Sequence, residues 1–429
     1  MANSFQTNLK LKYFAAAVLD SLPYIRLSRS YFKDDVKNKK SGMSYRFFVP
    51  DPGLATAGTT NLNITNDNKN VWELPVNITL VDGKTSVELT SWNKLTEIED
   101  FVRDIAEPHG RGLGAEIEKS IIEDNCFRAD GAVVDNSGTP STKTFALLAA
   151  RLRGIRASGT KVGFAHPDVF ASLGDALLGK FLPSEVMKKI YGDTVIAHAF
   201  GSEWIEENYM PFVKTGKSAP TITSITVGSG ADEGKLVVTG TNLYSGAVFN
   251  ATTADGNNIY TIDLNGKKTN EKFAFIVAKA VSATKGYLQL DPEQVRFMND
   301  KDAAGAIMPL SNPQIGADRW YDNSGTVTEN IGATAGVLDF SACTFTSLLS
   351  TSSDYAVIQV RDRDALEFDS YEFDEVAGAK NGKMKAAEIN VQTVEQGSVL
   401  TRDSVMRVDV PYMAKLVLTK LARVAYVKI

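Results

Sequence analysis

From residue 217 to about 340 the chain carries short alternating runs of β-branched and polar residues, and the text on either side reads differently. The stretch opens Pro220-Thr221-Ile222-Thr223-Ser224-Ile225-Thr226-Val227 and runs on through Lys235-Leu236-Val237-Val238-Thr239-Gly240-Thr241-Asn242-Leu243. A period of two, punctuated by Gly, Asn and Asp, predicts strands and turns. Long helix-compatible segments precede it and further strands follow. The pattern predicts an all-β module, a barrel or an immunoglobulin-like domain, inserted into a larger α+β body. An insertion that leaves both flanks able to fold together has to enter and leave at neighbouring points of the surface.

Ahead of the insert, residues 7–22 predict an amphipathic helix with Tyr13, Phe14, Ala17, Val18 and Leu22 near one face. Its polar approach and the lysines between Lys33 and Lys40 suggest an arm rather than core. Gly42 to Val49 predicts a strand, ended by Pro50-Asp51-Pro52-Gly53. The polar stretch Gly53 to Asn70 is too long for an ordinary hairpin turn. Strands are predicted again at Val71–Leu80 and Ser86–Leu89, joined by a turn at Val81-Asp82-Gly83-Lys84. Thr96 then stands as an N-cap with Glu99 at capping-box spacing, ahead of an apolar stripe of Ile98, Phe101, Val102 and Ile105. Pro108-His109-Gly110-Arg111-Gly112 interrupts it. A second run has Leu113, Ile117, Ile121 and Ile122 apolar and Glu116, Glu118, Lys119 and Glu123 exposed. The two runs form one kinked helix or two helices; end to end, about thirty residues would reach roughly 45 Å.

Asp135 to Ser141 reads as a loop and Phe145 to Ile155 as a helix. Lys161 to Ala165 is a short buried strand. Pro167 opens a helix carrying Val169, Phe170 and Leu173, with Asp168 suited to its positive end. A helix at 183–190, a turn at Gly192-Asp193 and a strand at Thr194–Ala199 lead towards Pro211. Beyond 340, strands are expected at Tyr355–Val360 and Ala387–Val394, and apolar text runs from Val408 to Val427. The expected division is 1–41 arm, 42–95 extended hairpin, 96–160 long helix and peripheral part, 161–216 α/β part, 217–340 insert, and 341–429 returning strands.

A chain of 429 residues suits two or three domains. Its net charge of −5 and the lack of a dense Lys/Arg run argue against gripping nucleic acid by bulk charge. Cys126 and Cys343 lie far apart, so no disulfide framework is expected, and Cys126 reads as a small buried hydrophobe. Lys10 and Lys12 precede a short apolar run that stops at Asp20, so no secretory leader is expected. Nor is any apolar stretch long enough for a membrane span. His109, His166 and His198 have no second His or Cys at ligand spacing and read as structural. Gly110-Arg111-Gly112-Leu113-Gly114 could cradle a phosphate, but no strand leads into it and it reads as a helix bend. The acidic run from Asp362 to Glu375 lacks the glycine and spacing of an EF-hand and reads as a solvated or interface face. Sequons at Asn63, Asn77 and Asn250 mean little without secretion. No catalytic residue, cofactor or metal ligand is expected, and the chain reads as structural rather than enzymatic. Long arms and extended hairpins usually need neighbouring subunits to bury their surface.

This order of elements resembles the major capsid proteins of tailed double-stranded DNA bacteriophages, the Hong Kong 97-type fold. It is most similar to the short-tailed Salmonella-phage coat proteins that carry an inserted β-domain. The N-terminal arm and extended loop of that family match 1–41 and 42–90, and its spine helix matches 96–127. Its strand–Pro–helix step in the apical domain matches Phe164-Ala165-His166-Pro167-Asp168-Val169-Phe170, and Gly192-Asp193-Thr194 through Pro211 matches the approach to its insert. The break at Pro108 to Gly114 departs from the family's continuous spine helix. The resemblance implies pentamers and hexamers closing into an icosahedral shell, first as a procapsid, around double-stranded DNA contacted non-specifically. It implies a location in the virion capsid after assembly in the host cytoplasm. Implied partners are other copies of the chain, a portal protein, a decoration protein and a scaffolding protein. The scaffolding protein is expected to be separate, because only about forty residues precede the first strand. Tyr13, Phe14, Val18, Trp72, Leu74 and Trp92 would carry contacts between subunits. Some relatives crosslink a Lys to an Asn; Lys84, at its hairpin turn, could do so but is not expected to. An immunoglobulin-like surface adhesin and a phage tail or tube protein are the alternatives.

Overall fold

A computed structural model of the chain describes residues 2–19, 21–24, 44–50, 73–79, 81–89, 102–138, 140–155, 159–177, 201–232, 234–252, 258–262, 268–291, 332–334, 337–339, 343–372, 375–377, 379–386, 389–397 and 404–429. Helix α1 (Ala2–Leu19) is followed by strands β1 (Ser44–Pro50), β2 (Glu73–Thr79) and β3 (Val81–Leu89). A π-helical turn at Val102–Ala106 leads into helix α2 (Glu107–Asn125). Strand β4 (Gly131–Asp135), helix α3 (Thr142–Gly154), strand β5 (Lys161–Ala165) and helix α4 (Pro167–Leu177) come next, then β6 (Glu203–Glu206) and β7 (Phe212–Lys214). The insert supplies β8 (Thr221–Val227), β9 (Leu236–Thr241), β10 (Val248–Thr252), β11 (Tyr260–Ile262), β12 (Lys268–Lys272), β13 (Ala274–Ser282) and β14 (Lys285–Leu288). Then come β15 (Gly332–Thr334), β16 (Val337–Asp339) and β17 (Thr344–Ser347). The last strands are β18 (Asp354–Asp362), β19 (Leu366–Ser370), β20 (Lys380–Ala386), β21 (Ile389–Gly397), β22 (Ser404–Leu416) and β23 (Ala422–Lys428). The chain is α+β, and it falls into two units. One holds Met1–Tyr45, Ile78–Ile122 and Leu366–Lys415; the other holds Arg46–Asn77, Glu123–Ala365 and Leu416–Ile429.

The first unit is built on a sheet of order β19-β22-β21-β20, with β3 also paired to β22. The β3–β22 register runs antiparallel from Leu89 opposite Ser404 to Val81 opposite Tyr412. The turn expected at Val81-Asp82-Gly83-Lys84 therefore does not form. A long partner strand distant in sequence outweighs the local Asp-Gly preference. Gly83 instead permits a close approach, since a Cβ there would lie 2.7 Å from Cγ1 of Ile117. Helix α1 packs against β20 and β21. Leu11, Phe14, Ala15, Val18 and Leu22 are all buried, so α1 is core of this unit rather than a free arm.

The expected break at Pro108 is also absent. Pro108 is the second residue of α2, directly after the π-helical turn. There the hydrogen-bond ladder is already shifting, and the missing N–H and the ring's bulk are absorbed. The helix then continues through the glycines because two of them meet α1. A Cβ on Gly110 would stand 2.7 Å from Cβ of Ala17, and one on Gly114 would stand 2.7 Å from Cβ of Ser21 and 2.8 Å from the Val18 carbonyl oxygen. Gly112, between them, has nothing within 4 Å. Leu113, Ile117, Ile121 and Ile122 are buried as their spacing predicts. Glu118 is buried against expectation, because its carboxylate accepts the Tyr24 backbone N–H.

In the second unit the body sheet has the order β4-β23-β18-β5-β6, with β7 also along β18. β4 and β6 run parallel to their neighbours, and β18 runs antiparallel to β23 and β5. Helix α3 lies on β23 and β4. The inserted module has the order β17-β10-β13-β14-β9-β8. Its edge strands β17 and β8 touch, so the sheet curls part of the way into a barrel. Ile225, Leu236, Val238, Phe249, Phe273, Phe275, Val277 and Leu288 fill it, with Cys343 and Phe345 packed against them. Its paired strands thus run past the expected end at 340, through β17. The module enters and leaves at adjacent points, as an insertion requires. The Thr215 N–H donates to the Ser353 carbonyl at 2.9 Å, and the Ser352 N–H donates to the Gly216 carbonyl at 2.9 Å. The Thr96–Glu99 cap with Ile98 and Phe101, the polar stretch 53–70, and the elements expected at 183–199 lie outside the described residues.

The glycine pattern of α2 separates two effects of adding a methyl group. Gly112→Ala should stabilise the protein by about 0.5–1 kcal/mol through helix propensity. Gly114→Ala should destabilise it by about 1–3 kcal/mol through overpacking against α1. Urea denaturation of the two variants checks the opposite signs.

Candidate functional site

A set of charged groups, several of them buried, lies in the second unit where the inserted module meets the body. Glu271 on β12 is 7% exposed, and Arg423 on β23 is 1% exposed. Arg423 Nε donates to Glu271 Oε2 at 2.7 Å, and Arg151 Nη1 on α3 donates to Oε1 at 3.0 Å. Arg423 Nη1 also donates to the Lys420 and Ala422 carbonyls at 2.8 and 2.7 Å, and the same Arg151 Nη1 donates to the Ala132 carbonyl at 2.8 Å. Gly131 makes room, since a Cβ there would sit 2.1 Å from Glu271 Oε1. A second pair, Arg128 Nη2 to Asp291 Oδ1 at 2.9 Å, joins the same two parts. The Ala274 N–H completes the seam by donating to the Asp130 carbonyl at 2.9 Å. Desolvation of these charges is offset because each has a partner of opposite sign within hydrogen-bond reach. The arrangement holds and orients.

The residues singled out in the sequence fall in different places. Tyr13 is 37% exposed on α1, whereas Phe14 and Val18 lie inside the chain's own packing. Leu74 lies in β2, and Trp72 and Trp92 are outside the described residues. His166 serves the start of α4: Nδ1 accepts the Asp168 N–H at 3.2 Å, and its carbonyl accepts the Val169 N–H at 3.0 Å. Its ring meets Phe212 edge-on at 4.7 Å. His109 lies within α2, and His198 is outside the described residues. The acidic run is not one solvated face. Asp362, Glu367 and Asp369 are buried, because β18 and β19 are covered along their length. Asp362 accepts the Gly159 N–H at 3.0 Å and the Asp364 N–H at 3.2 Å, and burial pushes its carboxyl up. Glu372 and Glu375 are exposed near Lys383, at 4.0 and 3.9 Å. Burial pushes the Cys126 thiol far up and the Cys343 thiol up to about 11. Among the described residues no group of three or more His, Cys, Asp or Glu is placed to hold a metal ion, and no helix is long and apolar enough to cross a membrane.

Sequence reasoning missed Arg128, Arg151, Glu271, Asp291 and Arg423. No local signal marked them: even Arg423 shares its apolar-rich stretch with Asp409, Lys415 and Lys420.

No family model and no curated protein matches the chain. Solved structures do match along most of its length. The chain is similar to a structure of Mycobacterium phage Che8 at 7% identity and a TM-score of 0.39, over 93% of this chain and 89% of that one. It is similar to the capsid structure of the cyanophage P-SCSP1u at 9% identity and a TM-score of 0.38, over 90% and 84%. The capsid of Ralstonia phage GP4 gives 7% identity and a TM-score of 0.39, over 90% and 83%. A likeness of this degree leaves function to the chain's own features.

Glu271→Ala should cost about 3–5 kcal/mol in chemical denaturation, because it strands Arg423 without a counter-charge. A loss below about 1 kcal/mol would show that the pair is not what holds the seam. Within the module, hydrogen bonds from Lys285 and then Tyr287 hold the Asp232 carboxyl below the usual range. A lowered carboxylate stabilises above its unfolded value of about 3.9 and loses that contribution as pH falls through the folded value. Asp232→Asn should therefore flatten the fall in stability below about pH 4, as read by acid titration of the two proteins.

Proposed function

We propose that this chain is the major capsid protein of a tailed double-stranded DNA phage, the repeated subunit of a closed icosahedral shell. The observation that carries this reading is a β-module inserted between Thr215 and Ser353 of an α/β body, in a chain that also has an N-terminal helix, strands ahead of a long helix, and returning strands. That order is the one the sequence shares with tailed-phage coat proteins carrying an inserted domain. The packing supports it on physical grounds. A subunit presents the same contact surfaces from copy to copy when its own parts are held together. Here α1 is locked to α2 at two glycines, and the module is locked to the body by ion pairs.

On this reading the partners are other copies of the chain, in pentamers and hexamers. A separate scaffolding protein, a portal protein and a decoration protein join them. DNA is contacted non-specifically, in keeping with a net charge of −5. Assembly takes place in the host cytoplasm and the product is the virion capsid. The role is structural rather than catalytic. Tyr13, Trp72, Leu74 and Trp92 are the proposed contacts between subunits. Phe14 and Val18 would act one step back, by fixing α1 so that Tyr13 is presented outward.

Electron microscopy of the protein produced with its scaffolding protein should show closed particles of uniform diameter. Tyr13→Ala should keep the melting temperature of the free subunit and lower the yield of shells several-fold, as expected for truncation of an interface aromatic. Rods would favour a tail or tube protein. Persistent monomers that bind glycans would favour an adhesin.

A further inference from the structure

Two tyrosine hydroxyls are buried at the joint between module and body with no hydrogen-bond partner among the described residues: those of Tyr244 and Tyr426. Tyr426 is fully buried on β23, and burial pushes its hydroxyl well above the ordinary value. Its ring stacks on Phe127, with centroids 6.5 Å apart and planes 4° from parallel. Tyr244 opens a turn closed by the Ala247 N–H donating to the Tyr244 carbonyl at 3.1 Å. Gly246 in that turn has φ +85°, and a Cβ on it would lie 2.7 Å from the Phe127 ring. Phe127 therefore touches the turn of one tyrosine and the ring of the other. Tyr244 and Tyr426 are also close enough that charge on the first would raise the second further.

A third hydroxyl lies on the same side of the body sheet. Tyr426 stands opposite Val357, and Tyr355 is two residues from Val357, so alternation puts it on that face. Tyr355 has its partners: its hydroxyl donates to Asn136 Oδ1 at 2.6 Å and accepts the Ser350 N–H at 3.0 Å. It keeps one lone pair free. Buried hydroxyls without partners are strongly disfavoured, and proteins commonly satisfy them with an enclosed water molecule. The chemistry of the lining selects water over an ion. The Tyr244 and Tyr426 hydroxyls can each donate or accept, the Tyr355 hydroxyl can accept on its free lone pair, and the Cys126 thiol beside Tyr426 is held protonated by burial.

We propose that one water molecule is sealed at the joint, hydrogen-bonded to Tyr244 and Tyr426, with the Tyr355 hydroxyl as its third neighbour. The joint is then bridged twice, by ion pairs on one part and by an enclosed water on another. Oxygen-17 relaxation dispersion of the unassembled full-length protein counts waters that exchange slowly. Tyr244→Phe and Tyr426→Phe should each remove one such water, and the double variant should also remove one, not two. An unchanged count in either single variant, or a loss of two in the double, would overturn the proposal. If Tyr426→Phe does not fold by circular dichroism, Tyr244→Phe decides alone: a loss of one supports the water and no change rejects it.

Discussion

A guanidinium with 1% of its side chain exposed cannot remain in a protein interior without a counter-charge, and for Arg423 the counter-charge comes from the inserted module. That constraint organises the larger unit. β23 pairs β4 on one side and β18 on the other, so it runs through the middle of the body sheet. Its arginine is neutralised only when Glu271 on β12 is in place. The glycine at 131 on β4 is what lets the carboxylate come that near. The module is therefore part of how the body reaches its folded state, although it has a hydrophobic core of its own. A module joined by two adjacent connections alone would be free to swing. The ion pairs of Glu271 and Asp291 remove that freedom.

The elements legible in the sequence were those whose cause is local. The strand at Lys161–Ala165 and the helix from Pro167 are found where their apolar pattern and proline placed them. The adjacency of Thr215 and Ser353 followed from the logic of insertion alone. What misled was glycine. Gly83 suggested a hairpin turn, and Gly110 to Gly114 suggested a helix break, because a sequence shows the flexibility of glycine and not its smallness. In the fold these residues serve smallness, letting β3 settle on Ile117 and α1 settle on α2. Both contacts join segments distant in sequence, so no local window could have revealed them.

The same limit applies to the site. Arg128, Arg151, Glu271, Asp291 and Arg423 are scattered across the chain, and none stood out from its surroundings. Glu118 was read as exposed and the acidic residues of β18 and β19 as a solvated or interface face, since carboxylates usually lie at a surface. Glu118 is buried because it has a backbone donor in Tyr24, and Asp362 because it has donors in Gly159 and Asp364. The extent of the module was underestimated for a related reason. β17 is a four-residue strand whose membership depends on pairing with β10 across about ninety residues of chain.

Module and body are one rigid piece joined at a buried charged seam. Hydrogen exchange at the Ala274 amide tests it most directly, because that N–H bonds across the seam to the Asp130 carbonyl. Ala274 should exchange as slowly as the Ile276 amide inside the module, which is held by the side chain of Gln289. Exchange at Ala274 that is orders of magnitude faster, with Ile276 still protected, would mean that the module lifts off the body while both stay folded, and that the seam does not make them one piece.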